Sequence, residues 1–203
     1  MTDEADRNAA HKAAMQTLKA EREALMAGKS DETRGLLVVN TGDGKGKSTA
    51  AFGTALRAVS RGWPVTVIQF MKSGRWRVGE EQAGLQLGMT WWTIGDGFTW
   101  ESDDLDRSAA IAGKAWEASR TALSSGEVGL LVLDEITYAM NYGWIDADEV
   151  VRCIAERAPS TYVICTGRDA PQALIDIADT VTEMTKVKHA YDTGVPARRG
   201  FDY

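Results

Sequence analysis

Asn40-Thr41-Gly42-Asp43-Gly44-Lys45-Gly46-Lys47-Ser48-Thr49 is the stretch on which the fold turns. It follows a short apolar, β-branched run, Leu36–Val39, suited to a strand covered on both faces. It precedes a helical pattern over Lys47–Arg61, with Ala50, Ala51, Thr54, Ala55, Ala58 and Val59 expected on the packing face and Gly62 at the C-cap. A glycine-rich loop between strand and helix is the setting of a phosphate-binding loop. Its glycines let backbone N–H groups converge on an anion, and the helix N-terminus adds partial positive charge. Lys47 supplies a full charge, and Ser48 a hydroxyl for Mg²⁺. The ATP-binding set expected here is Thr41, Gly42, Asp43, Gly44, Lys45, Gly46, Lys47, Ser48 and Thr49, joined by Arg168. One detail departs from G-x-x-x-x-G-K-[ST]. Counted back from Gly46, the first glycine falls on Thr41, and Gly42 comes one place later. The loop is one residue tighter and carries a second lysine, Lys45.

Outward from the loop, strand and helix patterns alternate. Strands are expected at Val65–Phe70, Met89–Ile94, Leu130–Leu133, Tyr162–Cys165 and Thr180–Met184. Helices are expected at Glu80–Leu87, Asp103–Ser124, Asp146–Arg157 with Asp146 as N-cap, and Pro171–Ala178. This order predicts an α/β fold of the P-loop NTPase, RecA-like kind, a mainly parallel sheet with helices on both faces. Residues 1–33 read as a separate arm, either disordered or a helix lying on another surface. Residues 34–203 read as the P-loop domain, ending in a loop-like tail from Lys186 to Tyr203.

The 203 residues are enough for one full α/β domain. Lys+Arg 23 against Asp+Glu 29 leaves a net charge of −6, a poor basis for wrapping duplex DNA. Two cysteines, Cys153 and Cys165, cannot build a disulfide framework or a four-cysteine zinc site. No apolar run approaches the ~18 residues of a membrane span, and the charged N-terminus has no signal-peptide core. A cytoplasmic protein without membrane or nucleic-acid partners is expected. Seven Trp against four Phe and five Tyr is an excess. Packing is the expected role of Trp63, Trp91, Trp92, Trp116 and Trp144.

Leu130–Glu135 is an apolar strand ending in two acids, Asp134 and Glu135. Carboxylates at the C-terminal end of a parallel strand face the same crevice as the phosphate loop, and one can hold the metal directly or through water. Arg168, after the strand end at Thr166-Gly167, points either into that crevice or into a surface salt bridge. Lys72–Glu80 offers a basic rim. Gly95–Glu101 sets Phe98 and Trp100 on a glycine-flanked loop, where they can meet a large flat ligand. ATPases, kinases, rarer transferases and non-enzymatic binding modules share such a loop and acid.

Thr41–Gly53 (TGDGKGKSTAAFG), Gly97–Trp100 (GFTW), Leu133–Tyr138 (LDEITY), Thr166–Arg168 (TGR) and Val187–Asp192 with Gly194 together resemble the bacterial P-loop type of ATP:cob(I)alamin (corrinoid) adenosyltransferase. The resemblance runs in order from about Gly35 to Tyr203. It implies transfer of the 5′-deoxyadenosyl group of ATP to Co(I) of a reduced corrinoid such as cobalamin, cobinamide or cobyrinic acid a,c-diamide, with release of triphosphate. It also implies ATP bound in a reversed sense. Lys47, Phe98, Trp100 and Glu135 become the catalytic set, Phe98 and Trp100 the corrinoid contacts that displace the axial ligand, and Ser48 with Glu135 and Asp134 the holders of Mg²⁺ or Mn²⁺. It implies a homodimer, an electron-donating flavoprotein or other reductase, and an N-terminal helix closing over an active site. No catalytic histidine is needed, since Co(I) is the nucleophile. His11 lies in the arm and His189 in the tail. Asp43 departs from the family's common Asn, and Ser48 from its common Thr.

Overall fold

Four runs of five residues, Leu37–Thr41 (β1), Val65–Gln69 (β2), Leu130–Asp134 (β4) and Tyr162–Thr166 (β5), are buried along nearly their whole length. Continuous apolar runs of this kind need cover on both faces. A computed structural model describes residues 2–27, 34–71, 79–93 and 105–202. It separates into two units, Met1–Thr33 and Arg34–Tyr203. The first is one helix, α1 (Thr2–Ala27), whose scattered Met15, Leu18, Leu25 and Met26 are exposed.

In the second unit Thr90–Thr93 (β3) and Thr180–Glu183 (β6) complete a six-stranded sheet of order β3-β2-β4-β5-β1-β6. Every pairing is parallel. The helices are α2 (Lys47–Val59), α3 (Gly79–Gln86), α4 (Leu105–Ser125), α5 (Ile136–Asn141), α6 (Ala147–Ala155) and α7 (Gln172–Asp176). Side chains alternate along each strand, so the sheet feeds two cores. Ile68, Leu131, Leu133, Val163 and Cys165 pack with α4, α5, α6 and α7. Val65, Val67, Leu130, Val132 and Ile164 pack with α2. Asp146 caps α6 by accepting the Asp148 N–H at 3.0 Å.

Several expectations shift. The buried face of α2 is Lys47, Ala51, Phe52, Ala55 and Ala58; Ala50 is exposed. Ala51, Ala55 and Ala58 are buried as expected, and the first residue of the helix, Lys47, faces inward as well. Helix α5 has only six residues, too few to show a period in sequence. Trp92 is 49% exposed, because β3 is an edge strand with one open face. Trp116 is buried in a core, Trp63 packs at a tilt on Tyr162 with ring centroids 4.9 Å apart, and Trp144 lies 4.9 Å from Tyr142. The two cysteines are unpaired, and burial pushes the Cys165 thiol up to about 12.

The start of β1 is tied on two sides. Arg34 donates both terminal nitrogens to Asp179, at 3.0 and 2.5 Å, and Asp179 also accepts the Leu37 N–H at 2.8 Å. The Arg157 guanidinium donates to the carbonyls of Gly35, Ile154 and Thr161 at 2.6, 2.7 and 3.0 Å. Gly35 is required at this crossing: a Cβ there would lie 2.2 Å from the Thr161 carbonyl oxygen.

The hydrogen bonds from Arg34 hold the Asp179 carboxyl below the ordinary carboxylate range. A depressed carboxylate contributes stability that is present above its unfolded pKa and lost as pH falls through its folded pKa. Asp179→Asn is therefore expected to cost about 1–2 kcal/mol at neutral pH. Urea denaturation across pH should show the gap to the parent closing in acid below the ordinary carboxylate range; a constant gap would deny the ion pair this role.

Candidate active site

The loop after β1 turns tightly because it is hemmed in by the end of β6. Gly42 and Gly46 have φ of 92° and 120°, values that disfavour a side chain. A Cβ on Gly42 would lie 2.5 Å from the Met184 carbonyl oxygen, and one on Gly44 would lie 2.7 Å from it. The Gly44 N–H donates to that same oxygen at 2.6 Å, and the Met184 N–H donates back to Thr41 O at 2.8 Å. Thr41 is the last residue of β1, and its hydroxyl accepts the Ala170 N–H at 3.1 Å. A glycine at 41 could not do this, so the turn begins at Gly42. Asn40 donates its side-chain amide to Lys47 O at 3.3 Å, pinning the start of α2 to β1.

Lys47 is only 8% exposed, and its ammonium donates to Gly42 O at 2.6 Å and Gly44 O at 2.8 Å. Burial lowers its pKa, with Arg168 acting the same way; Glu135, Asp43 and Asp134 oppose the shift. Lys47 lies on the wall of a cavity of about 550 Å³ with Asp43, Gly44, Lys45, Gly46, Ser48 and Thr49. Glu135, Tyr138 and Arg168 supply more of the wall, and the tail adds Lys186, His189, Tyr191, Asp192 and Asp202. Sequence reading assigned no role to Tyr138 or to these tail residues. The signal for the tail was its cluster of polar and aromatic residues around Gly194, which ends the short 3-10 helix Ala190–Thr193 at φ 80°.

The two acids separate. Glu135 lines the cavity. Asp134 is fully buried behind it, accepting from Gln69 Nε2 at 2.9 Å and from Thr166 Oγ1 at 2.7 Å. Glu135 has left-handed backbone, φ 61° and ψ 26°, which costs a side-chain-bearing residue about 1–3 kcal/mol. Its N–H is held by Thr166 Oγ1 at 2.9 Å. Burial raises the Tyr138 hydroxyl above its ordinary range, and Glu135 adds to the shift.

Arg168 takes both of the places open to it. It lines the cavity and pairs with Asp43 at 3.2 Å, both side chains being substantially exposed. The acid at position 43 thus has a cationic partner across the crevice. The turn that presents Arg168 is held by α5, since Thr137 Oγ1 donates to Arg168 O at 2.6 Å and Asn141 Nδ2 to Asp169 O at 2.9 Å. Gly167, at φ 140°, lies so close that a Cβ would fall 2.0 Å from Thr137 Oγ1. Lys45 pairs with Asp202 of the tail at 2.7 Å. Phe98, Trp100 and the rim from Lys72 to Val78 lie outside the described residues.

Among the described residues no group of three His, Cys, Asp or Glu side chains could hold a metal ion. Of the groups lining the cavity, the Ser48 hydroxyl at the phosphate loop and the Glu135 carboxylate after the acid strand are the pair expected to hold the metal, and both are hard oxygens. This set suits Mg²⁺, which keeps several waters and takes one or two protein oxygens together with phosphate. It does not suit zinc.

A profile of the family described as ATP:corrinoid adenosyltransferase BtuR/CobO/CobP matches residues 33–203. A corrinoid adenosyltransferase of Sinorhizobium sp is 44% identical over 200 residues, covering 97% of this chain and 92% of the relative. The corrinoid adenosyltransferase of Escherichia coli K12 is 40% identical, covering 93% and 95%. The Salmonella typhimurium LT2 protein named corrinoid adenosyltransferase CobA is 41% identical, covering 86% and 88%. With the phosphate loop, acid strand and arginine turn converging on one cavity, and with this likeness spanning nearly the whole chain, the protein belongs to the ATP:corrinoid adenosyltransferase family.

Proposed function

We propose that the chain transfers the 5′-deoxyadenosyl group of ATP to Co(I) of a reduced corrinoid and releases triphosphate. The observation that carries this reading is the cation-lined cavity over the tight loop, in a chain of this family. The new bond joins cobalt to C5′ and takes both its electrons from Co(I). The bond that breaks is C5′–O, and its electron pair leaves with the triphosphate. Negative charge therefore grows on the leaving polyphosphate, where preorganised positive groups act best. Lys47 and the loop amides hold the phosphates from within, and Lys45 and Arg168 from the rim. No proton is transferred in the displacement, so the half-buried Tyr138 and the tail His189 serve as walls and contacts, not as acid or base.

Ser48 and Glu135 are the residues that would hold Mg²⁺ or Mn²⁺, a charge that would help neutralise the departing phosphates. The resemblance assigns Phe98 and Trp100 to the corrinoid, with displacement of its axial ligand. An apolar face there excludes water while the chemistry of cobalt remains that of the corrinoid itself. A homodimer in which the N-terminal helix closes over the partner subunit's active site, a flavoprotein or other reductase as electron donor, and a cytoplasmic setting complete the proposal. Among the described residues no helix is long and apolar enough to cross a membrane.

The test mixes protein, ATP, Mg²⁺ and chemically reduced corrinoid, follows the cobalt–carbon bond by absorbance and separates the phosphate products. Adenosylcorrinoid and triphosphate are expected in equal amounts; ADP and phosphate instead would assign the site to phosphoryl transfer. Lys47→Ala should lower kcat/KM for ATP by ~100-fold or more, because it removes a positioned charge from the leaving group. Kinetics equal to the parent would exclude the loop from catalysis. Trp100→Ala should impair turnover from Co(II) corrinoid with a reductase at least ~10-fold more than turnover from pre-reduced Co(I), a gap in barrier of about 1.4 kcal/mol. Equal losses in the two assays would remove its role in displacing the axial ligand.

A further inference from the structure

The strands at the middle of the sheet share an unusual ending. After apolar runs, β1 closes on Asn40-Thr41, β2 on Gln69, β4 on Asp134 and β5 on Thr166. Register places Gln69 abreast of Asp134 and Thr166 abreast of Asn40. These four side chains form a polar row across the C-terminal rim, and all are buried. A buried polar row is tolerated only when its donors and acceptors match.

The matches here are directional. The Trp91 indole, which can only donate, gives its Nε1–H to Gln69 Oε1 at 3.0 Å. That fixes the amide of Gln69 so that Nε2 faces Asp134 Oδ2 at 2.9 Å. The second oxygen of Asp134 accepts the Thr166 hydroxyl at 2.7 Å. With its one proton spent, Thr166 Oγ1 accepts the N–H of Glu135 at 2.9 Å. The chain thus runs from the edge strand β3, through β2, β4 and β5, to the left-handed residue whose carboxylate lines the phosphate cavity. Its outer end is steadied by packing, since the Trp91 ring lies 5.0 Å from Phe52, itself on the cavity wall.

We propose that Thr166, Asp134, Gln69 and Trp91 are positioning residues that hold Glu135 in its left-handed conformation and so aim its carboxylate at the metal. Asp134 acts through Thr166 and is not itself a metal ligand. The inference rests on Glu135 being a ligand of that metal, as the proposed function has it. The side chains that orient a metal ligand typically change metal affinity 10–100-fold when removed.

The experiment measures Mn²⁺ affinity of the full chain with ATP present and corrinoid absent, counting free Mn²⁺ by electron paramagnetic resonance. Melting curves accompany each variant. Glu135→Gln should lose the site. Thr166→Val, nearly isosteric but without the hydroxyl, should weaken Mn²⁺ at least ~10-fold, and Thr166→Ser should return to within ~3-fold of the parent. Trp91→Phe, which keeps the ring and removes the N–H, should weaken it by about 3-fold or more. A folded Thr166→Val that binds Mn²⁺ like the parent, while Glu135→Gln does not, overturns the positioning role and leaves the metal assignment standing. Equal losses in the valine and serine variants overturn it too. If Thr166→Val fails to fold, a Trp91→Phe protein of unaltered Mn²⁺ affinity overturns it. A Glu135→Gln protein that binds Mn²⁺ normally removes the metal assignment itself, and the inference with it.

Discussion

Neighbouring strands of a sheet lie about 4.8 Å apart, and β5 stands between the strand that leads into the phosphate loop and the strand that ends in the acids. Loop and acids are therefore held roughly two strand spacings apart, about 10 Å, before any side chain is placed. This separation leaves room for a polyphosphate with a hydrated cation. It also demands something at the end of β5 to connect the two sides. Thr166 occupies that place, with Asp134 on one side and Asn40 abreast of it on the other.

The rest of the site follows from how closely the neighbours of β1 press on the loop. The end of β6 leaves no space for a Cβ at Gly42 or Gly44, and Thr41 remains part of the strand to hold residue 170. The turn is tight for that reason, and Lys47 is drawn onto the carbonyls of its own loop. The charges at the rim are paired in the same economical way, Asp43 with Arg168 and Lys45 with Asp202. These exposed pairs contribute little to stability. Their consequence is local, since they set the cations around one cavity in a chain whose net charge is −6.

Much of this was legible in the sequence, for reasons that differ from residue to residue. Strands β1, β2, β4 and β5 announced themselves as short, mostly apolar and β-branched runs, because a strand covered on both faces has few polar positions to alternate with. The loop was legible because glycine and lysine at that spacing have few other uses. Helix α2 was legible as a helix, and Ala51, Ala55 and Ala58 of its expected packing face are buried, but Ala50 is exposed and the burial of Lys47 and Phe52 was missed. Neighbouring Ala50 and Ala51 look alike in sequence, and the sheet took Ala51 and Phe52 and left Ala50 outside. The tail was read as a loop of no assigned purpose, yet five of its residues line the cavity. Trp91 was read as packing, which its contact with Phe52 supports, but its indole N–H begins a hydrogen-bonded chain that ends at Glu135.

The sequence by itself determined the fold class, the phosphate loop, the acid strand and the resemblance that the family likeness now supports. All of these are local patterns, expressed within a strand, a turn or a short motif. Tertiary structure decided how Asp134 and Glu135 are placed, the one buried and the other on the cavity wall. The two acids are adjacent in the chain, and the resemblance assigned both to the metal. One was buried by the register that brought Gln69 and Thr166 to its two oxygens, and the other was turned outward by a left-handed residue at the start of α5. Gln69 and Thr166 lie 65 and 32 residues from Asp134 in the chain, and only the parallel sheet brings them abreast.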